Sequence, residues 1–405
     1  MTKKYFAILA AGACSIALLS PAFGNHRTGS LALPELIVAG DFNEDGNQDL
    51  AVNVTGFDNI AFLMGNGLGG FTLEGRVPTD TLPKGLAAAD MNRDGHIDLV
   101  GCNNWGYNAD AHLGDGAGGF GARDASVKAE GGPNRVVLAD FNNDRALDMA
   151  AVGPDEGVAL IYLGNGKGGF NQPPFEIEEN IPHNQGITSA DFNGDGNFDI
   201  AFTSFADKQP GGTHLEIFLG NGTGEFPTHT EISCNDLAVS VIAGDLNNDG
   251  LVDLVVGGAG PENTTGNFIQ TFLGDGTGNF TVKKTILLEP DGAIKGELAV
   301  GDFNEDGNLD VAFPVAADGV IRHVPSTIVH TFFGDGAGNI TQGADLTVGP
   351  EPHTAVAFDA NNDGHLDLAV TNRTDGTVSV LLGSGTGSFT TSSTISVVCE
   401  GGVCD

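Results

Sequence analysis

In DFNEDGNQD, beginning at Asp41, oxygen-bearing side chains stand at loop positions 1, 3, 5 and 9 as Asp41, Asn43, Asp45 and Asp49. Calcium takes about six to eight oxygens in a forgiving geometry, and alternating donors on a curled loop converge on one point. A backbone carbonyl near position 7, here Asn47, adds a further donor, and Gly46 permits the sharp turn. The bidentate glutamate and flanking helices of an EF-hand are missing, so the expected cage is one closed by the position-9 aspartate.

The pattern recurs six more times. Asp90, Asn92, Asp94 and Asp98 form the second loop with His96 at position 7, and Asp140, Asn142, Asp144 and Asp148 the third with Ala146. Asp191, Asn193, Asp195 and Asp199 follow with Asn197, then Asp245, Asn247, Asp249 and Asp253 with Leu251. Asp302, Asn304, Asp306 and Asp310 carry Asn308, and Asp359, Asn361, Asp363 and Asp367 carry His365. Asx-rich turns can also hold themselves by side-chain to backbone hydrogen bonds without a metal. Mutual repulsion weighs for the cation, because the seven loops concentrate 21 of the 53 acidic residues in this arrangement. The expected complement is up to seven calcium ions. The third loop is the weakest candidate, since Arg145 replaces the glycine, adds strain at positive φ and sets a guanidinium beside the cage.

The loops return every 49 to 57 residues, each between two short apolar runs such as GLAAAD and DLVG, which reads as strand, loop, strand. Further along each repeat a third apolar run ends in a glycine-rich turn, as in LMGNGLGGF at Leu63 or LGDGTGNF at Leu273. Asn-Gly and Asp-Gly pairs supply positive φ in tight hairpins, so this turn leads to a fourth strand. The turns lack the lysine and following helix of a phosphate loop. Phe71, Phe120, Phe170, Phe226, Phe280 and Phe389 directly follow them and read as packing residues. Pro34, Pro83, Pro133 and Pro352 each precede a first aspartate by seven residues, where a connector need not donate a ladder hydrogen bond. Gly at 62 of 405 residues, without a collagen period, fits a turn-dense all-β chain.

Two linked motifs in seven copies, from about Pro34 to Phe389, resemble the FG-GAP (VCBS-type) repeat of integrin α-subunit propellers and of many secreted bacterial proteins. The resemblance implies an all-β fold, a seven-bladed β-propeller of four-stranded antiparallel blades with calcium-binding loops. Its blades would start near residues 34, 83, 133, 182, 237, 294 and 352. Fold does not fix function, so it says less about what the propeller does.

The N-terminus places Lys3 and Lys4 before an uncharged apolar stretch ending Ala22-Phe23-Gly24, which reads as a secretory signal peptide over residues 1–24, leaving 25–405 as the propeller. A membrane anchor and a lipoprotein site at Cys14 are the alternatives. Removing the two lysines takes the formal charge from −36 to −38, which makes nucleic acid and anionic membranes poor partners and divalent cations good ones. Cys399 and Cys404 are close enough in sequence for a small terminal disulfide in an oxidising compartment.

If the inner strand runs toward the acid loop, the loops and glycine turns share one face, and the variable loops lie on the other. There Trp105 and Tyr107, beside asparagines, are candidates to stack on a sugar, with blade capping as the alternative. Arg135, His183, His353 and Arg373 reach the same face, by default as solvated loop residues. The sequence holds no H-E-x-x-H and no G-x-S-x-G, and its ten histidines are scattered. The leading expectation is therefore a secreted or surface-exposed calcium-binding module for adhesion or for recognition of a glycan or protein. Alternatives are a self-assembling surface or matrix protein and a propeller-based lyase or hydrolase.

Overall fold

The structure, a computed structural model, describes residues 32–129, 131–153, 158–178, 185–205, 213–235, 237–259, 267–288, 296–316 and 326–398. The signal-peptide segment, the Cys399 and Cys404 pair, His183 and the loop 260–266 lie outside these residues. So does most of the loop from Ser204 to Pro210.

The strands form seven antiparallel sheets, each drawn from consecutive strands of the chain, and together they make a seven-bladed propeller. In the first blade the strands are Pro34–Gly40, Asp49–Val54, Asn59–Gly65 and Phe71–Pro78, paired in that order. The innermost strands of the next six blades begin at Pro83, Arg135, Ile187, Ala238, Ala299 and Pro352. The sixth blade departs from four simple strands. Its outer strand is split into Ile340–Gln342 and Leu346–Thr347, both paired with the third strand, and the amide of Gly343 between them donates to the Thr331 carbonyl.

The second strand of a blade, for example DLAVNV, is buried along its whole length, because both of its faces lie against neighbouring blades. The outermost strands alternate or turn outward, as in FTVKKTIL, where most residues are exposed. The core accordingly lies between blades. Seven apolar clusters each join residues of two adjacent blades, and the one between the last and first combines Ile37, Leu50, Val52 and Leu63 with Phe358, Val378 and Val380. Each fully buried Val, Leu, Ile or Phe contributes about 1.5–3 kcal/mol. Among the described residues the ring closes by this packing and by side-chain bonds, such as Arg76 Nη2 to the Val397 carbonyl at 3.0 Å, without exchange of a strand.

Candidate functional site

Each acid loop links the innermost strand to the second, so all seven open on the same end of the ring as the glycine turns. The loop organises itself by one repeated set of bonds. In the first copy Asp41 accepts the amides of Asp45 and Gly46 at 3.1 and 2.9 Å, Asn43 Oδ1 accepts that of Asp45 at 3.0 Å, and Asp45 Oδ1 accepts that of Asn47 at 2.8 Å. The same amides are bound in the other six.

The position-9 aspartates have a different job. Asp49, Asp98, Asp148, Asp199, Asp253, Asp310 and Asp367 are fully buried. Asp49 Oδ2 accepts the amide of Phe42, at loop position 2, and its Oδ1 that of Gly65, at the start of the glycine turn, at 3.0 and 2.8 Å. The other six repeat the pair. The glycine is required there because an added Cβ would collide with the Gln48 carbonyl, so one carboxylate ties the acid loop to the hairpin turn. Burial pushes these carboxyls above the usual aspartate range against the restraint of the two backbone bonds, and the neighbouring loop carboxylates add to the rise. Asp148, Asp199 and Asp310 reach about 6.

Among the described residues no three His, Cys, Asp or Glu side chains gather as a metal centre. The donor chemistry nevertheless fits a hard cation. Carboxylate and amide oxygens at positions 1, 3 and 5 each retain a lone pair beside the amide they accept, and position 7 adds a carbonyl. In the third loop Arg145 sits at φ 73°, where the other loops place glycine at 84° to 95°. A Cβ added to any of those glycines would point into open space, so the penalty for Arg145 is backbone strain rather than crowding.

Positions 2 and 4 clasp neighbouring blades. Ring pairs at 5.4–5.5 Å join Phe42 to Phe120, Phe141 to Phe226, Phe192 to Phe280 and Phe303 to Phe389, which identifies the phenylalanines after the turns as inter-blade packing. Every position-4 residue has a positive φ, from Glu44 at 57° to Gly194 at 72°. In several copies its side chain reaches position 7 of the next loop. Glu44 meets His96, Asn143 meets Asn197, Asn248 meets Asn308, Glu305 meets His365, and Asn362 meets Asn47 across the closure.

Trp105 and Tyr107 lie on the other face, in the turn between the second and third strands of blade two, each 45 % exposed. Asn104 beneath them bonds the Gly132 carbonyl at 2.6 Å and Asn134 at 2.9 Å, which fixes the turn.

The same face holds a group that differs from the expectation of solvated loop residues. Arg135 and His353 are buried, at 5 % and 4 % exposure, and stand near the start of innermost strands with Glu35, Lys84 and Glu297. Arg135 of blade three meets Glu297 of blade six at 3.0 Å, a contact that crosses the axis of the ring. Glu35 is gripped by Lys84 Nζ, 2.6 Å from both oxygens, and by Arg373 Nη2 at 3.1 Å, which joins blades two, one and seven. Burial raises the Glu35 carboxyl, but Lys84, His353 and Arg373 together outweigh it and hold the group at about 2. Burial lowers Lys84 and takes His353 well below its ordinary value, and in both cases the neighbouring arginines add to the fall. Burial is the main cause for both bases, and it also raises the Glu297 carboxyl against the pull of Arg135, so only the Glu35 shift reports the surrounding cations.

Fold and loops together define a propeller of acid-loop repeats. The FG-GAP-like repeat family matches residues 41–101, 140–202 and 203–256, so the propeller carries FG-GAP-like repeats over those segments. The mouse phosphatidylinositol-glycan-specific phospholipase D is 30 % identical over 145 residues, 32 % of this chain and 17 % of that protein. This chain therefore matches a small part of that relative. Among solved structures, the periplasmic gluconolactonase of Pseudomonas aeruginosa superposes with a TM-score of 0.60 at 16 % identity, over 90 % of this chain and 96 % of that one. A Lactobacillus plantarum protein gives 0.57 at 10 % identity, over 91 % and 98 %. At such identities the likeness is one of fold.

Proposed function

We propose that this chain is a secreted or surface-exposed, calcium-stabilised recognition module that binds a glycan or protein ligand through the face away from the acid loops. The observation that carries this is the division of labour between the two ends of the ring. One end repeats a single oxygen-donor loop seven times, with its ninth aspartate tying loop to turn within the blade and its second and, in several copies, fourth residues reaching the next blade. Positions 1, 3 and 5 and the carbonyl of position 7 would hold the ion, which would supply the positive charge that converging carboxylates need. The other end carries loops of unlike length and chemistry, where binding functions are commonly placed.

Elemental analysis and calcium titration of the purified chain, followed by a glycan and extracellular-protein array, test both halves. Absence of stoichiometric calcium removes the metal half, and a blank array removes recognition. A hydrolase or lyase reading draws on the similarity to a phospholipase and on the fold shared with a gluconolactonase. Turnover of a phosphoester, lactone or polysaccharide without retained binding would install it instead. Self-assembly would appear as calcium-dependent sedimentation of species larger than a monomer.

A further inference from the structure

The charged group on the ring axis is the most unusual side-chain cluster in the described residues. A chain with 17 lysines and arginines against 53 aspartates and glutamates brings Lys84, Arg135 and Arg373 together from three blades. Two of these cations share one buried carboxylate, so Lys84, Arg373 and Glu35 together carry a formal charge of one positive unit. His353 is buried beside them, and its depressed pKa keeps it neutral at pH 7. Arg135 is matched by Glu297 across the axis.

Donors remain at this point. Arg373 Nε is buried and has no hydrogen-bond partner. Lys84 directs its ammonium at the two Glu35 oxygens, which accounts for two of its three N–H donors. A buried N–H left unsatisfied costs about 1–3 kcal/mol, and such a group calls for an occupant. The cluster is half open to solvent, with Lys84 keeping 21 % and Arg373 26 % of their side-chain surface, while Arg373 Nε lies just beneath that surface.

We propose that this charged group at the end of the ring opposite the acid loops binds a small organic carboxylate, with the Arg373 guanidinium and Lys84 Nζ donating to its oxygens. A monoanion neutralises the single excess charge, whereas a dianion would leave a negative surplus against Glu35. The proposal adds a place and a ligand class to the recognition reading and rests on this end being the binding face. It does not require calcium.

The test is calorimetric titration of the intact chain with sodium glucuronate, using glucose as the uncharged counterpart and sodium sulfate and chloride at matched ionic strength as charge controls. Saturable binding of glucuronate alone is the expected result. Arg373→Gln should weaken it at least tenfold. Glu35→Gln, which removes the competing carboxylate, should tighten it, a direction that a purely structural role for the cluster does not produce. No binding, equal binding of sulfate or chloride, or an affinity that Arg373→Gln leaves unchanged overturns the proposal. If Arg373→Gln does not fold, Glu35→Gln decides, and unchanged or weaker binding there refutes it. A chain that binds glucuronate but no calcium breaks only the calcium reading, while one that captures an array ligand but not glucuronate breaks only this one.

Discussion

The two ends of the ring solve the problem of joining blades in opposite ways. At the acid-loop end the junctions reuse the same parts: within each blade the ninth aspartate ties loop to turn, and between blades a buried position-2 residue, from Phe42 to Ala360, packs at the seam and in most copies accepts an amide of the next blade's turn through its carbonyl. At the opposite end the junctions use charges that occur once each, with Glu35 held by neighbours on either side and Arg135 reaching across the axis. Repetition distributes stability over many modest bonds. Singular contacts concentrate it and leave the surroundings free to vary.

Removing calcium with excess chelator tests the repeated end and should have the largest effect. Free calcium about tenfold above each dissociation constant adds roughly 1.4 kcal/mol per loop, on the order of 10 kcal/mol for the set, and a chain of this size should then melt about 10 °C lower in chelator. An unchanged melting temperature would mean that the loops stand on their hydrogen bonds alone.

Glu35→Gln tests the singular end. It removes the buried carboxylate that two half-buried cations share and should cost about 2 kcal/mol in chemical denaturation, less than a fully enclosed pair because Lys84 and Arg373 keep some contact with water. The Glu35 carboxyl is lowered in the folded chain from 4.5 to about 2. Its contribution is therefore complete above about pH 4.5 and is lost as the pH falls through about 2, so the gap between wild type and variant should narrow over that window. A gap that is constant with pH would assign the loss to packing instead.

A smaller change sharpens the comparison within the repeated end. Arg145→Gly relieves a left-handed backbone position and should stabilise by about 1 kcal/mol in urea titration, bringing the third loop into line with the rest. Trp105→Ala, at an exposed turn, should alter stability by less than about 0.5 kcal/mol while removing any array signal that depends on stacking. A large stability loss would instead make Trp105 a cap of its blade.

The acid loops, the glycine turns and the strands between them could be read from the chain because each is settled within a few consecutive residues. The pairing of position 4 with position 7 of the following loop was not read, although the sequence carries a trace of it. Glu44 and Glu305 are each followed, one repeat on, by His96 and His365, whereas Asn143 and Asn248 are followed by Asn197 and Asn308. The axial cluster left no such trace. Lys84, Arg135, Glu297 and His353 sit near the start of strands, preceded by connectors that share no pattern, and only closure of the ring brings them together. That is why Arg135 and His353 read as solvated.

Each sheet takes its strands from one uninterrupted stretch of chain, and the joint between the seventh and first blades is built from the same kinds of contact as the others. A closed circle of equivalent seams has no privileged starting point. The heritable unit is then the whole blade: an in-frame duplication or loss of one segment of about fifty residues changes the number of wedges without breaking any strand pairing. What holds the number at seven is the fit of the wedges around the axis, where a single blade more or less would pull Arg135 and Glu297 out of reach of one another.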